Sequence, residues 1–275
     1  MKQPAPRILI ALCLLAGCAG PSAGVTSTTE RVTTTTTGST TAAVDSSTTQ
    51  PETTTTVDPA PRDVLVFHRT TGFRHESIGA GIRALEELGV AGGYEVTATD
   101  DPAVFTADQL ASFGVIVFLN TTGDVLDEDQ QAAMEQSIGS GRGFVGVHSA
   151  ADTEYDWGWY GALVGAYFDT HPQPQDAMVA FAAHPVTEGL PDQVERFDEW
   201  YDFQDRPPDG ATILATVDES SYEGGAMGNP HPIAWAQEVH GARSVYIGFG
   251  HTGESFDEPL IRTLLDNAIR WVEGD

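Results

Sequence analysis

Apolar runs alternate with amphipathic segments from residue 63 onward. Continuous apolar runs at residues 63–68, 115–119 and 144–147 predict strands buried on both faces, and residues 94–99 predict a further strand. Helical spacing of apolar positions predicts helices between these strands, the first of them ending at Gly89 and the last beginning at Asp127, which forms a capping pair with Gln130. This alternation predicts a parallel sheet of right-handed βαβ units.

The pattern becomes less regular after residue 152. Residues 157–164 predict an aromatic-rich helix, and several short antiparallel strands are expected to follow. Residues 244–249 again form a buried apolar run, and a wide apolar face over residues 260–272 predicts a final helix that closes the sheet. The predicted fold is therefore α/β, a flavodoxin-like, doubly wound, mostly parallel sheet with an irregular, antiparallel insertion after the fourth strand.

Polar residues stand where three predicted strands end. His68, Asn120 and His148 each follow a buried run, and Asp152 lies in the turn after His148. In open α/β sheets, ligands bind outside the carboxyl ends of the strands, so these positions are the first candidates for chemistry. Three further histidines are expected nearby, two in loops that follow strands and one from the irregular region: His75, His251 and His171.

The first 62 residues carry signals for export. The apolar run at residues 8–16 is too short to span a bilayer, and with the preceding Lys2 and Arg7 it predicts a signal peptide. Residues 15–18 resemble a lipobox, which makes Cys18 the expected lipidation site; an ordinary secretory signal is the alternative. The expected division is signal peptide 1–17, lipidated Cys18 with a disordered Thr/Ser-rich linker to residue 62, and one domain at 63–275. The domain is then anchored to the outer face of the bacterial membrane.

Composition narrows the chemistry. The only cysteines are Cys13 and Cys18, so residues 63–275 offer no thiol for a disulfide, a zinc-thiolate site or a cysteine nucleophile. The charges of residues 1–62 cancel, so the whole formal charge of −27 falls on the domain. Such an acidic surface repels nucleic acid, and the sequence contains neither a Walker motif nor a dinucleotide fingerprint.

Six short motifs follow one another in a fixed order, and together they resemble the ThuA-like (trehalose-utilisation) family. They are GFRHESI at 72–78, GFVGVHSAAD at 143–152, YFDTHP at 167–172, DEWYDF at 198–203, HPIAW at 231–235 and GFGH at 248–251. The family is similar in fold to class I glutamine amidotransferases, in which a cysteine occupies the turn that here holds His148. The resemblance implies carbohydrate metabolism, with trehalose-like disaccharides or their 3-keto derivatives as substrates, and no thiolate chemistry.

The candidate site combines acid/base and sugar-binding residues. His148 and Asp152, helped by His75 and His251, are the expected catalytic groups, because imidazole exchanges protons near neutral pH. Substrate contacts are expected from Arg74, Asn120, His171, Trp157 and Tyr201; core packing is the alternative for the aromatic residues, and an ion pair with Asp152 is the alternative for Arg74. Of Asp198 and Glu199, at most one is expected in the site, because neighbours on a strand point to opposite faces.

Two other functions remain open. The chain can instead be a non-catalytic lipoprotein that binds sugars, or a hydrolase that depends on a divalent metal. Several histidines with one aspartate suit zinc, manganese or iron, although no tightly spaced ligand pair such as H-x-H occurs. No cofactor is specified, and the expected partners are a small sugar or keto-sugar and the membrane.

Overall fold

The computed structural model describes residues 63–274. The signal-peptide, lipidation and linker predictions for residues 1–62 lie outside the described residues. Within residues 63–274, no helix is both long and apolar enough to cross a membrane.

The first half of the described chain is a regular parallel α/β unit. Its strands alternate with helices, as the hydrophobic pattern predicts, and Thr106 and Asp127 cap the second and third helices. The capping pair of Asp127 and Gln130 is confirmed as a reciprocal capping box. The elements are β1 (Asp63–Phe67), α1 (Ile78–Gly92), β2 (Val96–Thr99), α2 (Ala107–Leu110), β3 (Phe113–Leu119), α3 (Glu128–Gly139) and β4 (Gly143–Val147).

The second half is mainly antiparallel and returns to the sheet beside β4. A helix follows β4, six strands come next, and a last strand and helix complete the fold. These elements are α4 (Gly158–Val164), β5 (Phe168–Thr170), β6 (Gln175–Phe181), β7 (Gln193–Asp198), β8 (Asp202–Phe203), β9 (Thr212–Val217), β10 (His231–Val239), β11 (Ala242–Ile247) and α5 (Pro259–Glu273).

Among residues 63–274, one nine-stranded sheet contains most of these strands, in the order β2-β1-β3-β4-β11-β10-β9-β6-β7, while β5 pairs with β8. Side chains of β1 alternate between two cores: Val64 and Val66 pack with α1 and α5, whereas Leu65 and Phe67 pack with the layer that includes α3 and α4. Burial on both faces explains why β1 reads as a continuous apolar run.

Two predictions need correction. The sheet is mixed rather than mostly parallel, because the pairings from β2 to β11 are parallel and those from β11 to β7 are antiparallel. Helix α1 does not end at Gly89. It continues to Gly92, because Gly93 adopts the left-handed conformation (φ 78°) and its N–H bonds the carbonyl oxygen of Gly89.

Candidate active site

His148 stands directly after β4, at the carboxyl end of the sheet, and is fully buried. Its backbone is left-handed, with φ 48°, a strained conformation for a residue that is not glycine. The ring Nδ1 lies 3.0 Å from the carbonyl oxygen of Gly248, which only accepts, so Nδ1 carries a proton. Nε2 makes no hydrogen bond of acceptable geometry with any of the described residues.

Glu199 brings its carboxylate to this open nitrogen. The residue follows β7, and its side chain is only 6% exposed. Its Oε2 lies 3.4 Å from Nε2 of His148 and 3.2 Å from Nδ1 of His251. Its other oxygen, Oε1, lies 3.1 Å from Nδ1 of His171, which is half-exposed. One carboxylate therefore faces three imidazole rings.

His75 completes the group from the loop between β1 and α1. Its ring meets those of His148 and His251 edge to face, at 4.8 and 5.3 Å between centroids, and Nδ1 lies 3.2 Å from the hydroxyl oxygen of Ser149. Burial, together with the neighbouring His148 and His251, lowers the pKa of His75 to about 3. His75 is therefore a neutral imidazole at neutral pH.

These four residues, His75, His148, Glu199 and His251, form what is called here the histidine–glutamate cluster. One nitrogen or oxygen from each lies within 4.8 Å of the corresponding atoms of the other three. Burial of Glu199 opposes its ionisation, but its close contacts with the rings of His148 and His251 hold the pKa of Glu199 well below its usual range. The adjacent carboxylate of Glu199 raises the pKa of His251, against the opposing effect of burial. The cluster is thus a set of donor atoms that can bind a proton or a metal ion.

Asp198 supports the cluster from behind. Its fully buried carboxylate accepts hydrogen bonds from the backbone N–H groups of Glu199 and His251, at 3.0 and 3.1 Å, and pairs with Arg196 at 3.1 Å. Glu199 is therefore the member of the Asp198–Glu199 pair that contacts the histidines. Asp198 instead holds the backbone of Glu199 and His251 in place through its hydrogen bonds.

Asp152 and Tyr201 border the cluster. Burial raises the pKa of Asp152, while a hydrogen bond from the Tyr155 hydroxyl, at 2.7 Å, and the nearby His148 and His171 partly offset this effect. The Tyr201 ring packs on His148 at 4.4 Å, and the two rings are 32° apart. Tyr201 is buried and lies against the protein, so in this structure its ring supports His148 rather than offering an open face.

Asn120 lies directly after β3 and is also buried and left-handed, with φ 48°. Its amide nitrogen donates to the hydroxyl oxygen of Ser77 and to the carbonyl oxygen of Gly250, at 3.0 and 3.1 Å. It therefore ties the end of β3 to the loop that carries His251. Its Oδ1 is buried without a partner.

Among residues 63–274, no hydrogen bond, ion pair or ring contact joins Trp157, Arg74 or His68 to the cluster. The indole N–H of Trp157 donates to Glu135 at 3.1 Å, and its ring stacks on Trp159 at 5.1 Å. Arg74 is exposed, and the carboxylate of Asp152 binds Tyr155 instead of the arginine. His68 is half-buried, and its ring has no contact with the cluster among the ring pairs of the described residues.

Two neighbours of the cluster are absent from the sequence-based candidate set. Ser149 touches His75, and Phe73, which is 66% exposed, meets the His75 ring edge to face at 4.9 Å. An exposed aromatic residue in a loop after a strand is a signal that the sequence offers, since Phe73 stands two residues before His75. Ser149 gives no such signal, because it reads as a small residue in a turn.

A second group of ionisable residues lies behind Tyr201. His231 is fully buried, and its Nε2–H donates to the carbonyl oxygen of Tyr201 at 2.9 Å. Its Nδ1 lies 3.0 Å from both the Tyr222 hydroxyl and Oε1 of Glu219. Asp202 lies close enough to Glu219 and His231 for the three side chains to be possible ligands of one metal ion. Asp202, Glu219, Tyr222 and His231 are called the rear cluster below.

Fold and site together define a class: a mixed α/β sheet with a histidine-rich cluster at the carboxyl ends of its strands, and without a cysteine at the turn after β4. The chain belongs to the ThuA family, described as trehalose utilisation, whose sequence pattern matches residues 63–272. No curated protein matches the chain.

Solved structures with this fold include other ThuA-like proteins. A ThuA-like protein of Bacteroides uniformis ATCC 8492 is 26% identical, with a TM-score of 0.65 over 78% of this chain and 92% of that one. A ThuA-like protein of Parabacteroides merdae ATCC 43184 is 17% identical, with the same TM-score, over 78% and 90% of the two chains. The second likeness concerns the fold alone. The likeness to glutamine amidotransferases stays a prediction.

Proposed function

We propose that the chain is an exported enzyme that acts on a sugar or a 3-keto-glycoside, and that the reaction takes place at the histidine–glutamate cluster. The convergence of three histidines and one carboxylate at the carboxyl ends of the strands is the observation that carries this proposal. The description of the family as trehalose utilisation supports the choice of carbohydrate.

The proposed chemistry is proton transfer at a substrate oxygen or at a carbon next to a keto group. Asp152 is the proposed acid or base at the rim, because it lies beside His148 and His171 and burial raises its pKa above its usual value, which makes its carboxylate a stronger base. His171 is half-exposed and lies beside Glu199, so it is the second group that can exchange protons with an entering sugar. In this proposal, the reacting oxygen of the substrate is held by three histidines that lie deeper than Asp152 and His171: His75, His148 and His251.

Phe73 is the proposed contact for the apolar face of a sugar ring. Its side chain is 66% exposed and stands on the ring of His75. Aromatic rings bind sugars through such faces. This role replaces the stacking expected of Trp157, whose ring packs on Trp159.

Export and lipid anchoring at Cys18 belong to the same proposal and rest on the sequence of residues 1–18. Incorporation of a labelled fatty acid tests them: the wild-type chain is expected to take up the label, and Cys18→Ala is expected to lose it. Equal labelling of both chains would contradict anchoring at Cys18.

Turnover of 3-keto-disaccharides by the purified chain tests the enzyme proposal. We expect product from wild type and a loss of at least about 100-fold in His148→Asn. Asn tolerates the left-handed backbone, and its amide can replace Nδ1–H, so this variant removes mainly Nε2. His240→Asn is the matched control, because His240 also has a positive φ (54°) and lies on Trp159, away from the cluster. Binding of the sugar without any product would instead support the non-catalytic alternative.

A further inference from the structure

We propose that the histidine–glutamate cluster binds one divalent transition-metal ion, with Nε2 of His148, Nδ1 of His251, Oε2 of Glu199 and one ring nitrogen of His75 as ligands. The inference rests on the positions of these atoms and does not depend on the proposed activity. It goes beyond the proposed function, because it assigns a cofactor to a chain whose family description gives none.

Two of the four proposed donor atoms are buried and lack hydrogen-bond partners among the described residues. Nε2 of His148 and Nδ1 of His251 are both shielded from solvent, and neither makes a hydrogen bond of acceptable geometry. An unpaired buried nitrogen costs free energy, roughly 1–3 kcal/mol. Both atoms point to the same oxygen of Glu199. A cation at their centre would satisfy all three atoms at once.

The separations fit a small metal ion. Ligands at about 2.0–2.1 Å from a tetrahedral zinc lie roughly 3.3 Å apart. Oε2 of Glu199 lies 3.4 Å from the His148 nitrogen and 3.2 Å from the His251 nitrogen. One ring nitrogen of His75 lies within 4.8 Å of these atoms. Small side-chain rotations would therefore bring all four ligand atoms to metal-binding distance.

The residues around the donors are arranged as metal sites require. The second ring nitrogen of a metal-binding histidine is usually hydrogen-bonded, which fixes the tautomer. Nδ1–H of His148 donates to Gly248, and Nδ1 of His75 contacts Ser149. Asp198 holds the backbone of both Glu199 and His251. Oε1 of Glu199 contacts Nδ1 of His171 at 3.1 Å. Glu199 would therefore bind the metal through Oε2 alone.

The ligand set selects the kind of metal. Imidazole-rich sites with one carboxylate suit zinc, iron or manganese, whereas magnesium prefers oxygen ligands and several waters. The rear cluster also brings three potential ligands together, but His231 already uses both of its ring nitrogens. The histidine–glutamate cluster is therefore the better metal site of the two.

Metal content and zinc titration test the proposal on the full chain, purified without chelators. We expect about one equivalent of transition metal per chain by elemental analysis. After the metal is stripped, calorimetry with zinc alone is expected to show one site, and magnesium is expected to give no comparable signal. His148→Asn and Glu199→Gln are each expected to weaken zinc binding by more than about 100-fold, since loss of an outer-shell partner alone costs about 10–100-fold.

Two control variants separate the outcomes. His240→Asn is expected to bind zinc like wild type. A wild-type chain that neither contains nor binds a transition metal would overturn the proposal, as would equal zinc binding by His148→Asn and His240→Asn. Loss of zinc in Glu219→Gln but not in Glu199→Gln would also overturn it, because the rear cluster would then be the site. Bound metal is the readout, so the proposed sugar chemistry can fail while this site stands, and the converse also holds.

Discussion

His148 and His231 are both fully buried, and each lies beside a glutamate, at 3.4 and 3.0 Å. They differ in what their ring nitrogens do. His231 uses both, since Nε2–H donates to a backbone carbonyl and Nδ1 faces a tyrosine hydroxyl. His148 uses only Nδ1 and leaves Nε2 buried without a hydrogen-bond partner. A buried histidine with both nitrogens engaged serves the fold, whereas one with an open nitrogen is available for chemistry.

Tyr201 connects the two histidines. Its backbone carbonyl accepts the hydrogen bond from His231, and its ring packs on His148 at 4.4 Å. The rear cluster thus supports the residue that orients the open histidine. Mutations in the histidine–glutamate cluster are therefore expected to lower turnover, whereas mutations in the rear cluster are expected to lower stability.

Replacing the glutamate of each cluster gives the largest expected contrast. Glu199→Gln removes the carboxylate that faces three imidazoles, so turnover of a 3-keto-disaccharide is expected to fall by about 100-fold or more. Glu219→Gln, which removes the same charge beside His231, is expected to keep turnover within a few-fold of wild type. Steady-state kinetics on both variants checks this. Similar losses of turnover in Glu199→Gln and Glu219→Gln would contradict the assignment of catalysis to the histidine–glutamate cluster alone.

Replacing Asp198, which supports the histidine–glutamate cluster, is expected to destabilise the fold more than replacing Asp202 of the rear cluster. Asp198→Asn leaves the guanidinium of Arg196, which is 3% exposed, without its buried partner, and the free energy of unfolding is expected to fall by about 3–5 kcal/mol. Asp202→Asn disturbs a carboxylate that accepts from the N–H of Ala226, so about 1–2 kcal/mol is expected. Urea unfolding measures both. A larger loss in Asp202→Asn would reverse the assignment of the supporting role to Asp198.

His231→Gln is expected to lower stability without lowering kcat. Glutamine cannot reproduce both hydrogen bonds of the ring, so the free energy of unfolding is expected to fall by about 1–3 kcal/mol. The kcat of the variant, measured below its melting temperature, is expected to stay near that of wild type. A fall in kcat as large as that of His148→Asn would mean that His231 takes part in the chemistry.

Tyr155→Phe is expected to give the smallest effect, at the rim of the histidine–glutamate cluster. The Tyr155 hydroxyl donates to Asp152 at 2.7 Å and lowers the pKa of that carboxyl against the raising effect of burial. Its removal raises the pKa further. If Asp152 acts as the base, the acidic limb of kcat/KM is expected to move to higher pH. Tyr167→Phe, whose hydroxyl binds backbone carbonyls instead, is the control and is expected to leave the limb in place. A limb that stays in place in both variants would remove Asp152 from the chemistry.

Local pattern was enough to predict the parallel half of the fold. Strands buried on both faces appear as continuous apolar runs, and this placed Asn120 and His148 at strand ends. It also brought His75, His148 and His251 into one candidate site, because the carboxyl ends of parallel strands share one edge of the sheet.

The local pattern predicts that short antiparallel strands follow the fourth strand, but their order, their pairing and their contribution to the site could not be predicted in this way. Strand β10 is almost wholly buried, whereas β6 and β7 are partly exposed, so no single period marks this region. The position of Glu199 depends on long-range pairing of β6 with β7 and on the hold of Asp198 on the loop after β11. Spacing carries no sign of these contacts. The hydrogen bond of Trp157 to Glu135 on α3 is likewise a long-range contact that the sequence pattern does not indicate.

A structure of the chain with a bound 3-keto-disaccharide, or its product, would show where the reaction takes place. We expect the sugar to lie at the histidine–glutamate cluster, with a reacting atom within about 3.2 Å of Asp152, His171 or the cluster itself. A sugar bound at the rear cluster, or elsewhere on the domain with the histidine–glutamate cluster unoccupied, would contradict it.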